Sequence, residues 1–243
     1  MSFVLSPLDI LIIFLVMSIG AALQGAVGYG MALIASPILL LIEPDLIPSP
    51  MVIASSVLVV LVAVRDRQAL DFFGLKWALL GFILGIGPGL FVLKHFSGEQ
   101  FAAIFAILIL IAVLMSAIGV HFKPSKTSLS IAGFLSGLMS VLTTTSGPPI
   151  ALVYQESPGK ELRATMSGFF IAGIVLVAGS LILVGELGLH EFGLSLYLIP
   201  GIIIGFIISN WAAKWVDKGY TRPLVLMISG LSAIVVLINQ VYK

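Results

Sequence analysis

Hydroxyl, amide and glycine groups gather at two places in this chain. The first runs from Gln24 through GAVGYG (Gly25–Gly30) to Ser36, and the second is TTTSGPP, Thr143 to Pro149. Hydroxyls and amides carry O–H and N–H donors, and glycine lets backbone approach a ligand closely. Neutral donors of this kind suit an anion; a cation inside a membrane would usually be met by Asp or Glu. The candidate binding residues are Gln24, Gly28, Tyr29, Gly30, Ser36, Thr143, Thr144, Thr145, Ser146 and Gly147, with Gln155 as a further amide. A competing structural role is open to Thr143–Thr145, whose hydroxyls could bond helix carbonyls one turn back.

VGYG is also the core of the potassium-channel selectivity filter. Such a filter needs four copies around one axis. This chain has one, Ala26 stands where the filter has threonine, and the matching stretch of the second half is SVL (Ser140–Leu142). The stretch reads as a glycine-rich break in a helix.

The elements that must hold these groups lie in lipid. Of 243 residues, 60% are hydrophobic and only 9% charged, with a mean hydropathy of +1.21, whereas soluble chains carry about 25% charged residues. The chain is expected to be an all-α polytopic membrane protein. It has no cysteine, so thiol catalysis, disulfides and thiolate metal sites are excluded. A net charge of +1 gives no nucleic-acid footprint. No Lys or Arg precedes the first apolar run, which therefore reads as a retained membrane segment rather than a signal peptide. His95, His121 and His190 lie in or beside loops; no metal or cofactor is expected.

The apolar blocks are Leu8–Gln24, Met31–Ile42, Met51–Val64, Gly74–Leu93, Phe101–Val120, Ser128–Leu142, Pro149–Gln155, Ala164–Val184, Leu194–Ala213 and Pro223–Val241. A full span takes about 20 residues. Met31–Ile42 reaches only about 18 Å at 1.5 Å per residue, and Pro149–Gln155 is shorter still. These two are half-membrane segments, each after a break rich in Gly, Ser, Thr or Pro. Each is expected to begin near its proline, Pro37 or Pro149, a residue suited to the first turn of a helix. Ser36 and Ser146 or Gly147 would then be N-caps, and free N–H groups would point into one cavity as an anion site.

The chain also repeats itself. ALQGAVGYGMALIASP (Ala22–Pro37) aligns with FLSGLMSVLTTTSGPP (Phe134–Pro149), and LDFFGLKWALLGFILG (Leu70–Gly85) with HEFGLSLYLIPGIIIG (His190–Gly205). Lys and Arg collect on the cytoplasmic side of short loops. If each broken segment enters and leaves by the same face, ten of the twelve basic residues share one face and only Lys94 and Lys243 the other. Each half then has a two-limbed hairpin plus three spans. An odd limb number inverts the second half, puts both termini outside and brings the hairpin tips together at mid-membrane, as in transporters built from inverted repeats. The repeats are 1–122 and 123–243, in one membrane domain. Gly81, Gly85, Gly201 and Gly205 are expected to be helix-packing glycines.

The pattern ALQGAVGYGMALIASPILLLI, its counterpart SGLMSVLTTTSGPPIALVYQ and the following KELRA (Lys160–Ala164) resemble the TauE/SafE sulfite exporter family. The resemblance covers nearly the whole chain and implies a permease of the cell (inner) membrane for sulfite, sulfonates or related organosulfur anions. Tyr29 and Met31 interrupt the run of glycines expected in the first tip. The implied partners are a small anionic substrate and the lipid bilayer; a homo-oligomer is compatible with the chain. The alternatives are a passive anion channel or a membrane accessory protein. An intramembrane serine enzyme built on Ser146 would need a base within hydrogen-bond reach, and no His or Lys lies deep in an expected span.

Overall fold

A computed structural model describes residues 5–66, 70–118, 122–154, 157 and 159–216. The expected last span Pro223–Val241, with Lys218, Arg222 and Lys243, lies outside the described residues, as do Arg67, His121 and Gln155. Among the described residues the protein is all-helical. The order is α1 (Pro7–Val27), α2 (Met31–Ile42), a 3-10 turn (Pro44–Leu46), α3 (Ser49–Asp66), α4 (Phe72–His95), α5 (Gly98–Ile118), α6 (Lys126–Thr143), α7 (Gly147–Tyr154), α8 (Gly159–Val184), α9 (Leu189–Ser195) and α10 (Ile199–Val216).

The first helix shows how local sequence sets its ends. Ser6 caps α1 in a reciprocal box with Asp9, and Pro7 opens the first turn, where no N–H is needed. Gly28 closes it at φ 104°, a conformation that side chains other than glycine rarely adopt. Gly30, at φ 117°, then starts α2 after a single intervening residue, Tyr29.

Among the described residues, three helices are long and apolar enough to cross a membrane: Pro7–Val27, Phe72–His95 and the segment Glu161–Val184 of α8. A fourth span arises if α9 and α10, bent by 45° at their junction, are one crossing. This junction departs from the expected single block Leu194–Ala213. In the aligned copy, Leu80 continues α4 without interruption, but Pro200 stands at the corresponding place. Proline cannot donate to the carbonyl one turn back, and the helix restarts at Ile199.

Two buried apolar clusters form the interior. One joins α1, α2, α3, α5 and α10 through residues such as Met17, Leu33, Leu58, Phe105 and Ile202. The other joins α4, α6, α7 and α8 through Phe82, Val141, Tyr154 and Phe169, with Phe82 and Phe169 meeting edge to face at 5.1 Å. Tyr29 packs against both clusters. Leu84, Val175 and Leu183 point outward, as lipid-facing residues should.

Glycines set the tightest contacts. A Cβ at Gly81 or Gly85 would run into the carbonyl oxygens of Ser130 and Phe134 on α6, and one at Gly133 or Gly137 into those of Ala78 and Phe82 on α4. A Cβ at Gly201 would lie 2.7 Å from the Phe14 carbonyl of α1, and one at Gly205 would strike that of Ser18. These positions are packing glycines that let helix backbones touch. The pairs α4/α6 and α1/α10 each join a helix of the first half of the sequence to one of the second.

Candidate functional site

The two breaks meet. Tyr29 and Gly30 line a cavity of about 50 Å³ together with Thr144, Thr145, Ser146 and Gly147, and α3 and α8 close it with Met51, Ser55 and Phe170 among others. A Cβ on Gly147 would stand 2.7 Å from the Cβ of Tyr29, so only glycine lets the start of α7 touch the first tip. A buried water needs about 10–15 Å³, so the cavity takes roughly four waters or one small oxyanion. Among the described residues, no Lys, Arg, His, Asp or Glu lines it.

Of the ten residues singled out from the sequence, Gln24, Tyr29, Gly30, Thr144, Thr145, Ser146 and Gly147 line this cavity; Gly28, Ser36 and Thr143 do not. Gly28 instead packs against Arg163, whose Cγ would be 3.3 Å from an added Cβ. Ser36 is not an N-cap. The glycines at 28 and 30 let the helix resume at Met31, which puts Ser36 and Pro37 inside α2. Ser36 Oγ lies 2.9 Å from the Thr143 carbonyl and 3.0 Å from Thr144 Oγ1.

The threonines behave differently from plain anion donors. Thr143 Oγ1 donates to the Met139 carbonyl at 2.9 Å, one turn back, and accepts the Thr145 N–H at 3.2 Å. Thr145 Oγ1 donates to the Thr143 carbonyl at 3.2 Å. Thr144 Oγ1 lies 2.6 Å from the same carbonyl. A hydroxyl has one proton and two lone pairs. Whichever way the Ser36–Thr144 contact is directed, the protons of both are taken up by protein oxygens. What Thr144 and Thr145 turn toward the cavity is therefore acceptor capacity. Thr144 also holds φ at 56°, unusual for a β-branched residue.

The donors come from elsewhere. Gln24 is 8% exposed; its Oε1 accepts the Met31 N–H at 3.2 Å across the break, which leaves its two amide N–H groups. Ser140 and Ser146 are 8% and 9% exposed, line the cavity and, among the described residues, make no side-chain hydrogen bond within the protein. Sequence reasoning missed Ser140 and also Ser55, whose hydroxyl donates to the Val52 carbonyl at 3.0 Å. The signal for Ser140 was its place one turn before Thr144, to whose N–H its carbonyl is bonded at 3.0 Å.

The two helix starts are unequal. In α2, with the Met31 N–H engaged, Ala32 and Leu33 still present first-turn N–H groups, and both residues line the cavity. In α7 the first three residues are Gly147, Pro148 and Pro149, so only one of them has an N–H. The partial positive charge of a helix start is delivered more fully by α2.

Two arginines stand behind the first tip. Arg65, on α3, donates to the Gly25 carbonyl, to Ser209 Oγ at 3.1 Å and to Asn210 Oδ1 at 3.1 Å. Arg163, on α8, packs on Gly28. At the other ends of α3 and α8, Asp45, Glu186, His190 and Glu191 surround a separate groove beside Ser49. In the second half, Tyr154 at the end of α7 donates to Asp71 Oδ2 at 2.7 Å.

In comparisons with known proteins, the model of the family described as sulfite exporter TauE/SafE matches residues 12–236. Nothing matches among curated proteins or solved structures. A family match over nearly the whole chain, together with helices long and apolar enough to cross a bilayer, makes this an integral membrane protein of a transporter family. The chain belongs to the TauE/SafE sulfite exporter family.

Proposed function

We propose that this protein is a secondary transporter of a small anion, sulfite or a short sulfonate, which binds in the cavity between the two breaks and moves by alternating access. The observation that carries the reading is a set of three buried polar side chains, Gln24, Ser140 and Ser146, drawn from both halves of the sequence and facing one small cavity with hydrogen-bonding capacity left over. Polar side chains this little exposed usually have partners; an oxyanion in the cavity would accept from the two serine hydroxyls and from the Gln24 amide. The start of α2 adds its dipole.

The charge distribution supports an orientation. Arg65 and Arg163 lie at one end of the helices α3 and α8, and Asp45, Glu186 and Glu191 at the other. At 1.5 Å per residue the 18 residues of α3 separate these ends by about 27 Å. With basic residues inside, the arginine end is cytoplasmic in an inner-membrane protein, and the N-terminus lies outside. The reciprocal pairing of α1 with α10 and of α4 with α6 supports two inverted repeats, 1–122 and 123–243, with the site at their interface.

The test removes the unpartnered hydroxyls. Each hydrogen bond to a charged group contributes about 1.5–3 kcal/mol, so the double variant Ser140→Ala/Ser146→Ala loses about 3–6 kcal/mol, or roughly 10²–10⁴ in affinity. Purified protein in liposomes should take up labelled sulfite, with trans-stimulation by unlabelled sulfite as expected of a carrier rather than a channel. The double variant should show no uptake at the same sulfite concentration while unfolding at the parent's temperature. Unchanged uptake by the double variant would sink the assignment of this cavity.

A further inference from the structure

We infer that this cavity accepts monoanions and discriminates against dianions, so that sulfite enters as its protonated form and carries a proton without any buried carboxylate. The inference rests on the anion reading above and adds the ionisation state of the substrate. Its first support is the absence of charge in the cavity wall: among the described residues no Lys, Arg or His lines it. The guanidinium of Arg65 is bonded to Gly25, Ser209 and Asn210, Arg163 packs on the Gly28 side of the first tip, and Asp71 is bound to Tyr154 at the far end of α7. Lys76 stacks over Trp77, and Glu161, in the first turn of α8, lies outside the lining. Taking an ion out of water costs more as the square of its charge, so a wall of neutral dipoles meets a dianion at about four times the desolvation cost of a monoanion.

The second support is the division of donors and acceptors around the cavity. Gln24, Ser140 and Ser146, with the first turn of α2, offer N–H and O–H groups to oxyanion oxygens. Thr144 and Thr145 offer lone pairs only, because their protons are spent on protein oxygens. A sulfite or sulfate dianion has only oxygens to set against those lone pairs, whereas a sulfonate can turn its methyl group there. A protonated oxyanion such as hydrogen sulfite places its acidic O–H on them and its remaining oxygens on the donors. The proton travels as part of the substrate: it is bound to oxygen before entry and after release, and no group of the protein changes its protonation.

The experiment compares three labelled anions in proteoliposomes, with protein-free liposomes as the baseline: sulfite, methanesulfonate and sulfate. At fixed total sulfite, uptake should fall about tenfold for each pH unit above the pH at which hydrogen sulfite loses its proton. Methanesulfonate, a monoanion at every pH used, should enter at a rate independent of pH. Sulfate, a dianion throughout, should enter at least a hundredfold more slowly than sulfite at the lowest pH. Thr145→Val, which keeps the shape and removes both the acceptor and the bond to the Thr143 carbonyl, should lower hydrogen sulfite uptake by a severalfold larger factor than methanesulfonate uptake. Sulfite uptake that holds steady as pH rises, or sulfate entering within tenfold of sulfite, overturns the inference while leaving the anion site standing. Uptake of none of the three above baseline overturns the anion reading itself, and the inference with it.

Discussion

At Gly28–Gly30 the chain reverses through two glycines at φ 104° and 117°, and at Thr144–Ser146 it does so around Thr144, at φ 56°, whose hydroxyl shares the Thr143 carbonyl with that of Thr145. The first break is made by backbone freedom and leaves a helix start with usable N–H groups. The second is made by side chains, and its returning helix opens on two prolines. Two stretches that align in sequence therefore line one cavity with different groups: backbone N–H groups and the Gln24 amide from the first, threonine lone pairs and the Ser140 and Ser146 hydroxyls from the second.

The largest expected effect comes from crowding the two tips. Gly147→Ala puts a Cβ 2.7 Å from that of Tyr29, and both atoms are fixed to backbone. Overpacking of this kind costs about 1–3 kcal/mol, and the displacement of α7 should cut sulfite uptake more than tenfold. Wild-type uptake by this variant would mean that the tips need not touch. Next is Gln24→Leu, which strands the Met31 N–H. A buried donor without a partner costs about 1–3 kcal/mol, to be read as a lowered thermal midpoint in detergent together with weakened sulfite protection.

Gly30→Ala forces a side chain into the left-handed region at a cost of about 1–2 kcal/mol; a midpoint equal to the parent's would show that the first tip does not depend on glycine. The smallest change is Thr144→Gly. Relief of the strained φ and loss of one hydroxyl, each about 1 kcal/mol, should nearly cancel in the midpoint. A large drop there would mean that the hydroxyl network holds the second tip alone.

How much of this could be read in advance differs between the two tips. The bounds of α2, Met31–Ile42, follow from an apolar run set off by glycine, and both the break and its shortness were visible. The role of Pro37 was not. Its alignment with Pro149 suggested a helix start, yet glycine placement, not proline, decides where α2 begins. The bend before α10 was hidden for the converse reason: Pro200 sits in an apolar block that its aligned copy crosses as one helix. Composition identified the threonines as polar groups at the site, but the direction of a hydroxyl proton depends on which carbonyl lies within 3 Å, and only the folded chain supplies that. Ser140 escaped notice because a lone serine in a helix commonly bonds its own backbone; here its hydroxyl has no such partner.

The glycine contacts between α1 and α10 have a consequence for how the protein is made. The face of α1 that holds Phe14 and Ser18 fits against Gly201 and Gly205, which leave the ribosome only after the chain from Val27 to Ile199 has been synthesised. At about 5–20 residues per second, the first helix waits on the order of ten seconds or more in the bilayer before its partner arrives. During that interval its exposed seam, and the tip it carries, must be sheltered by the insertion machinery or by neighbouring lipid. A chain truncated before α10 would keep that seam open permanently, which makes it a natural target for membrane quality control.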